Sequence, residues 1–154
     1  MKTLLSIFFF FFCIFTLIAQ PTFDNDYYVN EIFDIDTDLA VQYGQNTTIA
    51  GNPQNLLMDV YYPTNDNGNK RPLLVLAHAG SFFAGDRSDL HELCLSYSKK
   101  GFVVATISYR LFDTFSIDSA AVIKEVNFAV SDMKAAIRFF RQDAANENLY
   151  NIDP

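Results

Sequence analysis

The sequence predicts an α/β domain whose sheet is mostly parallel but begins with antiparallel strands. Three patterns support this: an alternating, half-exposed strand, two continuous apolar runs with an amphipathic helix between them, and a second, longer amphipathic helix. Continuous apolar runs are typical of parallel strands that are covered on both faces. Strand, helix and strand with short links form a βαβ unit, whose crossover is right-handed. The length of 154 residues and the 50% hydrophobic content favour one domain with its own core.

The first nineteen residues are predicted to be a secretory signal peptide. Lys2 gives a positive start, Leu4 to Ala19 is an almost unbroken apolar run, and Ala19 is a small residue at a cleavage point. An uncleaved anchor is the alternative, although this run is shorter than the ~20 residues of a spanning helix. Membrane contact is therefore expected only during export. Cleavage leaves Cys94 as the single cysteine, so no internal disulfide forms and we expect a buried thiol.

Residues 20–38 are acidic, dotted with aromatic residues and aperiodic, so we interpret them as an extended leader before a domain at 39–154. Within this leader, Asp34, Asp36 and Asp38 alternate like the first ligands of a calcium loop. The glycine and the bidentate glutamate that such a loop needs are missing. We therefore expect a solvated acidic stretch and no metal site.

Two strands are predicted next, Leu39–Tyr43 and Leu56–Tyr62, separated by a turn region rich in glycine and asparagine. The second strand alternates between two faces, and Pro63 ends it. Asn46 begins a glycosylation sequon, which is meaningful only if the source glycosylates exported proteins.

The βαβ unit consists of the apolar run Leu73–Ala77, a helix, and the β-branched run Phe102–Ile107. Ser88 or Asp89 can cap the helix, and a glycine that follows two lysines suits its end. The predicted apolar stripe of this helix contains Leu90, Leu93, Cys94 and Tyr97.

A long helix is predicted from about Ala120 to Ala145. Its apolar residues recur at spacings of four and three, which places them on one face. In an alternating pattern of strands and helices, a further buried strand should follow this helix, yet the chain stops at Pro154 without one. We therefore expect the sequence to be the front part of a larger domain. The predicted face contains Val126, Val130, Met133, Ile137, Phe140 and Ala144.

The charge of the chain limits its partners. The formal net charge is −7, and no Lys or Arg occurs between Lys2 and Lys70, where eight acidic residues lie. A nucleic-acid binder needs a basic face to displace counterions, and none is visible. A neutral or cationic partner fits better.

One loop concentrates residues that suit chemistry. His78–Asp86 follows the buried strand Leu73–Ala77, at the edge where open α/β sheets place their ligands. Together with Ser108–Leu111 and the long helix, the chain from about Leu56 to Pro154 resembles the α/β-hydrolase superfamily. The resemblance is greatest to its carboxylesterase branch, the hormone-sensitive-lipase-like and the acetyl or feruloyl esterases. That branch carries His-Gly-Gly-Gly and an aromatic residue, which correspond here to His78–Phe82.

The resemblance implies an oxyanion hole in this loop. Its donors would be the backbone N–H groups of Gly80 and Ser81, and His78 would brace the loop by hydrogen bonding. Small residues suit such a loop because backbone N–H groups must approach a tetrahedral intermediate to about 3 Å. Ala79 and Ser81 replace two of the family's three glycines. The alternative is an ordinary glycine-containing loop between a strand and a helix.

The nucleophile, acid and base of the family are not present. No two of the six glycines are four residues apart, so there is no Gly-x-Ser-x-Gly elbow. The family places its base after the nucleophile, which excludes His78 and His91, and His91 is expected to face solvent. Ser81 lacks an ordered third group, and Asp132 is expected to be a structural carboxylate.

The resemblance therefore implies the N-terminal part of an α/β-hydrolase fold, incomplete before the nucleophile strand, from an exported serine esterase. The full parent would form an acyl-enzyme from a small-molecule or polysaccharide-linked ester, with no metal or organic cofactor. This chain alone is expected to be inactive. The alternatives are a peptidase of the same superfamily and a non-catalytic secreted binding protein on the same scaffold. The sequence leaves the oligomeric state open.

Overall fold

The structure of the protein is a computed structural model that describes residues 26–64, 70–114 and 118–153. The predicted signal peptide, the start of the leader and the turn cluster at 65–69 lie outside the described residues. Within the described ranges, no helix is long and apolar enough to cross a membrane.

The described chain contains four strands and two α-helices, in the order strand, strand, strand, helix, strand, helix. A single 3₁₀ turn, Arg87–Leu90, leads into the first helix. The elements are β1 Ile35–Thr47, β2 Pro53–Pro63, β3 Leu73–Ala77, α1 His91–Lys99, β4 Val103–Ile107 and α2 Ser119–Ala145.

The strand order in the sheet is β1-β2-β4-β3. β1 with β2 and β2 with β4 are antiparallel pairs, whereas β3 and β4 are parallel and in register from Leu73 opposite Val103 to Ala77 opposite Ile107. The predicted α/β class with antiparallel first strands and a βαβ unit is therefore confirmed. Within the described chain, β3 is an edge strand with a neighbour on one side only.

β1 is longer than predicted and begins inside the leader, at Ile35. Asp36 lies opposite Tyr62 and Asp38 opposite Val60, so the alternating aspartates belong to an exposed strand rather than to an aperiodic segment. Two shifts of register interrupt the pairing of β1 with β2, and Ala40 beside the first has φ of 56°. Asp34, Asp36 and Asp38 are all exposed, which agrees with the predicted solvated stretch, and the strand was not predicted because polar residues on an exposed strand carry no apolar signal.

The helix α1 begins differently from the prediction. Asp86 caps the 3₁₀ turn, because its carboxylate accepts the N–H of Ser88 while the Asp89 carboxylate accepts the N–H of Asp86. Neither Ser88 nor Asp89 is the cap. The buried residues of α1 are Cys94 and Ser98, whereas Leu93 and Tyr97 of the predicted stripe are 45% and 36% exposed. Leu95 packs against the same core cluster as Cys94, so the face of α1 toward the sheet includes Leu95 and Ser98 in place of Leu93 and Tyr97.

The predicted face of α2 is only partly correct. The fully buried residues are Glu125, Asp132, Ala136 and Phe140. Val126 and Val130, which the apolar pattern placed at the core, are 37% and 46% exposed. Asp132 makes a buried polar contact, described below, and this contact turns its side of the helix inward. Val126 and Val130 instead line a cavity beside the end of β3.

The core has a larger and a smaller cluster. The larger cluster joins β2 and β4 to α2, with Met58, Val103 and Phe140 almost fully enclosed. The smaller cluster contains Tyr61, Val104 and Cys94 of α1. The prediction that Cys94 is a buried thiol is confirmed, and burial raises its pKa to about 11, so it stays protonated at neutral pH.

Candidate active site

The loop predicted to carry chemistry lies at the carboxyl end of β3. Its first residue, His78, is buried, and the imidazole ring stacks on Tyr109 with 4.4 Å between ring centroids. The Tyr109 hydroxyl also donates to the His78 carbonyl oxygen at 3.0 Å. Tyr109 follows β4, so this pair fixes the start of the loop to the strand beside β3.

The backbone of the loop turns through consecutive left-handed residues. Gly80, Ser81 and Phe82 have φ of 124°, 54° and 70°, and the N–H groups of Phe83 and Ala84 both donate to the Gly80 carbonyl. Turns that contain left-handed residues can present backbone N–H groups to an anion. In the described part of the chain, no residue accepts a hydrogen bond from the N–H of Gly80 or Ser81.

Glycine is required at two places in the loop. A Cβ at Gly80 would lie 2.0 Å from the Ala84 carbonyl oxygen, and one at Gly85 would lie 2.2 Å from His78 Nδ1. Ala79 and Ser81, which replace family glycines, are both exposed. The loop accommodates these two replacements because their side chains face open space rather than the packed interior of the turn.

His78 braces this loop. Its Nδ1 lies 2.8 Å from the Ala79 carbonyl oxygen, and because a carbonyl only accepts, Nδ1 carries the proton in that contact. Among the described residues, Nε2 is buried without a hydrogen-bond partner. The described hydrogen bonds do not join His78 to the Ser81 hydroxyl, so the two do not form a nucleophile and base.

A polar network that sequence reasoning missed fixes the far end of the loop. The Arg87 side chain lies 2.8 Å from the buried Asp59 carboxylate of β2, and the Thr106 hydroxyl donates to the Arg87 carbonyl. The Ser108 hydroxyl donates to Asp86 at 3.2 Å. The hydrogen bond from the Ser88 N–H is the main reason that the pKa of Asp86 lies below its usual value. The loop is thus held at both ends by strands of the sheet.

Asp132 is a structural carboxylate, as predicted. It is 1% exposed and receives the Arg110 side chain at 2.7 Å and 2.9 Å and the Arg110 backbone N–H at 3.0 Å. The guanidinium also lies 4.0 Å from the centre of the Phe128 ring and donates to the Thr47 carbonyl. With both of its oxygens engaged, Asp132 holds α2 against the end of β4 and is not available as a catalytic acid.

An open cavity of about 610 Å³ adjoins the loop. His78, Phe82 and Tyr109 line it on the sheet side, and Val130 and Met133 line it on the α2 side. Val126 and Val130, the two exposed residues of the predicted α2 face, therefore line a groove at the candidate oxyanion loop.

The remaining candidate residues lie elsewhere. His91 is exposed, as predicted, and its Nδ1 is 2.9 Å from the Tyr61 hydroxyl on the side of the sheet that α1 covers. It is not brought to the loop. In the ranges that the structure describes, no group of three or more His, Cys, Asp or Glu side chains could hold a metal ion. Asp59 gave no signal in the sequence, because only the sheet brings it to the loop. Tyr109 lies in the segment Ser108–Leu111 and Arg87 follows the loop directly, but their contacts are visible only in the folded chain.

Comparisons with known proteins find esterases. The model of the BD-FAE family matches residues 58–154, which is more than half of the chain. Esterase-5B of Drosophila persimilis is 29% identical over 100 residues, 64% of this chain and 18% of the relative. Esterase-5B of Drosophila miranda is 28% identical over 114 residues, 70% of this chain and 20% of the relative.

Solved esterases share the fold. An inhibited esterase B from Lactobacillus rhamnosis superposes with a TM-score of 0.56 at 20% identity, over 78% of this chain and 33% of the esterase. Thermogutta terrifontis esterase 2 phosphonylated by cyclosarin gives a TM-score of 0.54 at 21% identity, over 79% and 39%. The chain spans about a fifth of the length of the curated relatives that it matches.

Proposed function

The chain belongs to the BD-FAE family of esterase-like α/β-hydrolases, and on that basis we propose that it is the N-terminal portion of an exported serine esterase. The observation that carries this proposal is the loop at the carboxyl end of β3. There Gly80 and Ser81 combine left-handed backbone with N–H groups that have no described acceptor. A site of this kind suits an oxyanion that develops during acyl transfer.

The reaction follows from this assignment. A serine outside these 154 residues attacks the ester carbonyl carbon, and the N–H groups of Gly80 and Ser81 donate to the oxygen that becomes negative. A histidine that also lies outside these residues takes the serine proton and donates it to the alcohol as the carbon–oxygen bond breaks, which leaves an acyl-enzyme that water hydrolyses. His78 keeps the loop in place and transfers no proton, and the reaction requires no metal or organic cofactor.

The substrate is a small-molecule or polysaccharide-linked ester. Support comes from the relatives and structural neighbours of the chain, which are named esterases. A substrate with strong negative charge is disfavoured by the net charge of −7. A structural relative, Est2 of Thermogutta terrifontis, has been solved with butyrate bound.

The path of the chain after α2 supports the proposal that a further strand completes the domain. Ile152 forms a parallel bridge with Arg71, two residues before β3. The Arg71 N–H donates to the Asn151 carbonyl at 2.8 Å, and the Asp153 N–H donates to the Arg71 carbonyl at 2.9 Å. A segment that continued in this direction would run along the free edge of β3 toward the oxyanion loop, where the nucleophile is required.

The first test uses the 154-residue chain alone. We expect no hydrolysis of a small activated acetyl ester above a buffer control, because a site without nucleophile and base retains only binding and partial oxyanion stabilisation. Turnover that survived His78→Ala and vanished with Ser81→Ala would overturn the assignment, since it would make Ser81 the nucleophile.

Export is the second part of the proposal. A fusion of residues 1–25 to a reporter protein is expected to be secreted and cut near Ala19, because the charged start, apolar run and small residue match a signal peptide. Mass analysis of the product gives the cleavage site. A membrane-bound product that retains Met1 would show an anchor instead.

A further inference from the structure

The leader contains a segment that is docked on the domain. Residues 27–33, here called the strap, lie across the carboxyl end of α1. The N–H of Tyr28 donates to the Lys100 carbonyl at 2.8 Å, and the N–H groups of Ile32 and Phe33 donate to the Lys99 carbonyl at 2.9 Å and 3.0 Å. These carbonyls belong to the end of a helix, where backbone acceptors lack intrahelical partners.

The strap encloses a buried cation. Arg71 is 1% exposed, and its guanidinium carbon lies 4.2 Å from the centre of the Phe33 ring and 5.5 Å from that of Tyr27. The same guanidinium donates to the Gly101 carbonyl at 3.3 Å. A Cβ at Gly101 would lie 2.7 Å from the guanidinium and 3.0 Å from the Phe33 ring, so strap, cation and turn are in close three-way contact.

The backbone of the same arginine holds the end of the described chain. The N–H and the carbonyl of Arg71 are both bonded to the segment 151–153, as described above. Arg71 thus contacts the strap through its side chain and segment 151–153 through its main chain. Cation–π contacts are stronger when the cation is desolvated, and here the two rings shield it from solvent.

We propose that the strap is a conformational lock, in which residues 27–33 hold segment 151–153 beside β3 through Arg71. Release of the strap exposes the guanidinium to water, frees the Arg71 backbone and loosens the pairing with Ile152. The consequence reaches a cavity of about 560 Å³ at the start of β3, because Tyr28 of the strap and Ile152 both line it. Proteolytic trimming of the mature N-terminus past Phe33 would therefore loosen two walls of this cavity.

Hydrogen exchange tests the lock without requiring catalysis, so its outcome is independent of the proposed esterase activity. The protein is the chain from Gln20 with all coding sequence that follows Pro154. Phe33→Leu keeps apolar volume but removes the ring face from Arg71. We expect exchange at the Asp153 amide to accelerate about tenfold. Val29→Ala changes a strap residue that is 65% exposed, and it should leave that amide unchanged.

A loss of global stability must be separated from release of the lock. Met58→Ala, in the core on β2, serves as the reference for a general loss of stability. The two variants are compared under conditions in which their unfolding midpoints are equal. The lock then requires that Phe33→Leu accelerate hydrogen exchange at the Asp153 amide more than Met58→Ala does. Equal acceleration in the two variants overturns the proposal, as does faster exchange at the strap amides with an unchanged Asp153 amide.

Discussion

Replacement of Asp132 by alanine is expected to destabilise the domain by about 3–5 kcal/mol, because it leaves the Arg110 guanidinium buried without its counter-ion. Arg110 is 2% exposed. The substitution removes the contacts of 2.7 Å and 2.9 Å between its guanidinium and the carboxylate, and it also removes the acceptor of the Arg110 backbone N–H. The contacts to Thr47 and Phe128 that remain do not neutralise the cation.

Denaturant unfolding of the complete domain measures this loss. Glu147→Ala, which removes an exposed acidic residue of the α2 terminus, is the control and should change stability little. The double variant Asp132→Leu with Arg110→Met should recover part of the loss, because a buried ion pair can often be replaced by apolar residues of similar volume. A cost for Asp132→Ala no larger than that of Glu147→Ala would show that the pair does not hold α2 to the sheet.

The mature chain that ends at Pro154 is expected to aggregate or to bind hydrophobic dye, and extension into the proposed further strand is expected to restore cooperative unfolding. The free edge of β3 presents unpaired backbone groups that recruit other chains. Beside it, Val126 and Val130 of α2 are exposed over an apolar groove. Exposed apolar surfaces of this kind promote association when nothing covers them.

One substitution should have opposite effects in the two chains. Val130→Lys is expected to make the short chain more soluble, since it places a charge on the exposed stripe. In the extended chain the same lysine would lie under the added strand and should lower the unfolding midpoint. Leu149→Lys, at a position that is 69% exposed, is the control and should change neither property much. A monomeric 20–154 chain with a sharp two-state transition would show a complete domain and favour the binding-protein alternative.

The topology could be predicted from the sequence because its evidence is local. The buried runs Leu73–Ala77 and Phe102–Ile107 differ in composition from their surroundings, and a helix between two such runs has one favoured arrangement. The start of β1 was missed because Asp36 and Asp38 face solvent on a sheet edge. The face of α2 was partly wrong because a buried ion pair, which periodicity does not register, turns Asp132 inward and Val130 outward.

The candidate site shows the same division between local and tertiary signals. The loop of His78 was found because its small residues are consecutive in sequence. The contacts that support it were not found, since Tyr109, just after β4, and Asp59, on β2, come close to the loop only in the folded sheet. Gly85 gives an intermediate case: its need for glycine follows from contact with His78, which only the folded loop shows.

The most direct test of the central claim is to find the atom that becomes acylated in the extended protein. The protein is mixed with an activated acetyl ester, quenched in acid within one turnover, digested and analysed by mass spectrometry. We predict a single acetyl group on a serine of a Gly-x-Ser-x-Gly segment beyond Pro154. An acetyl group on Ser81, or an extended chain that lacks a serine at the elbow and forms no adduct, would contradict the account.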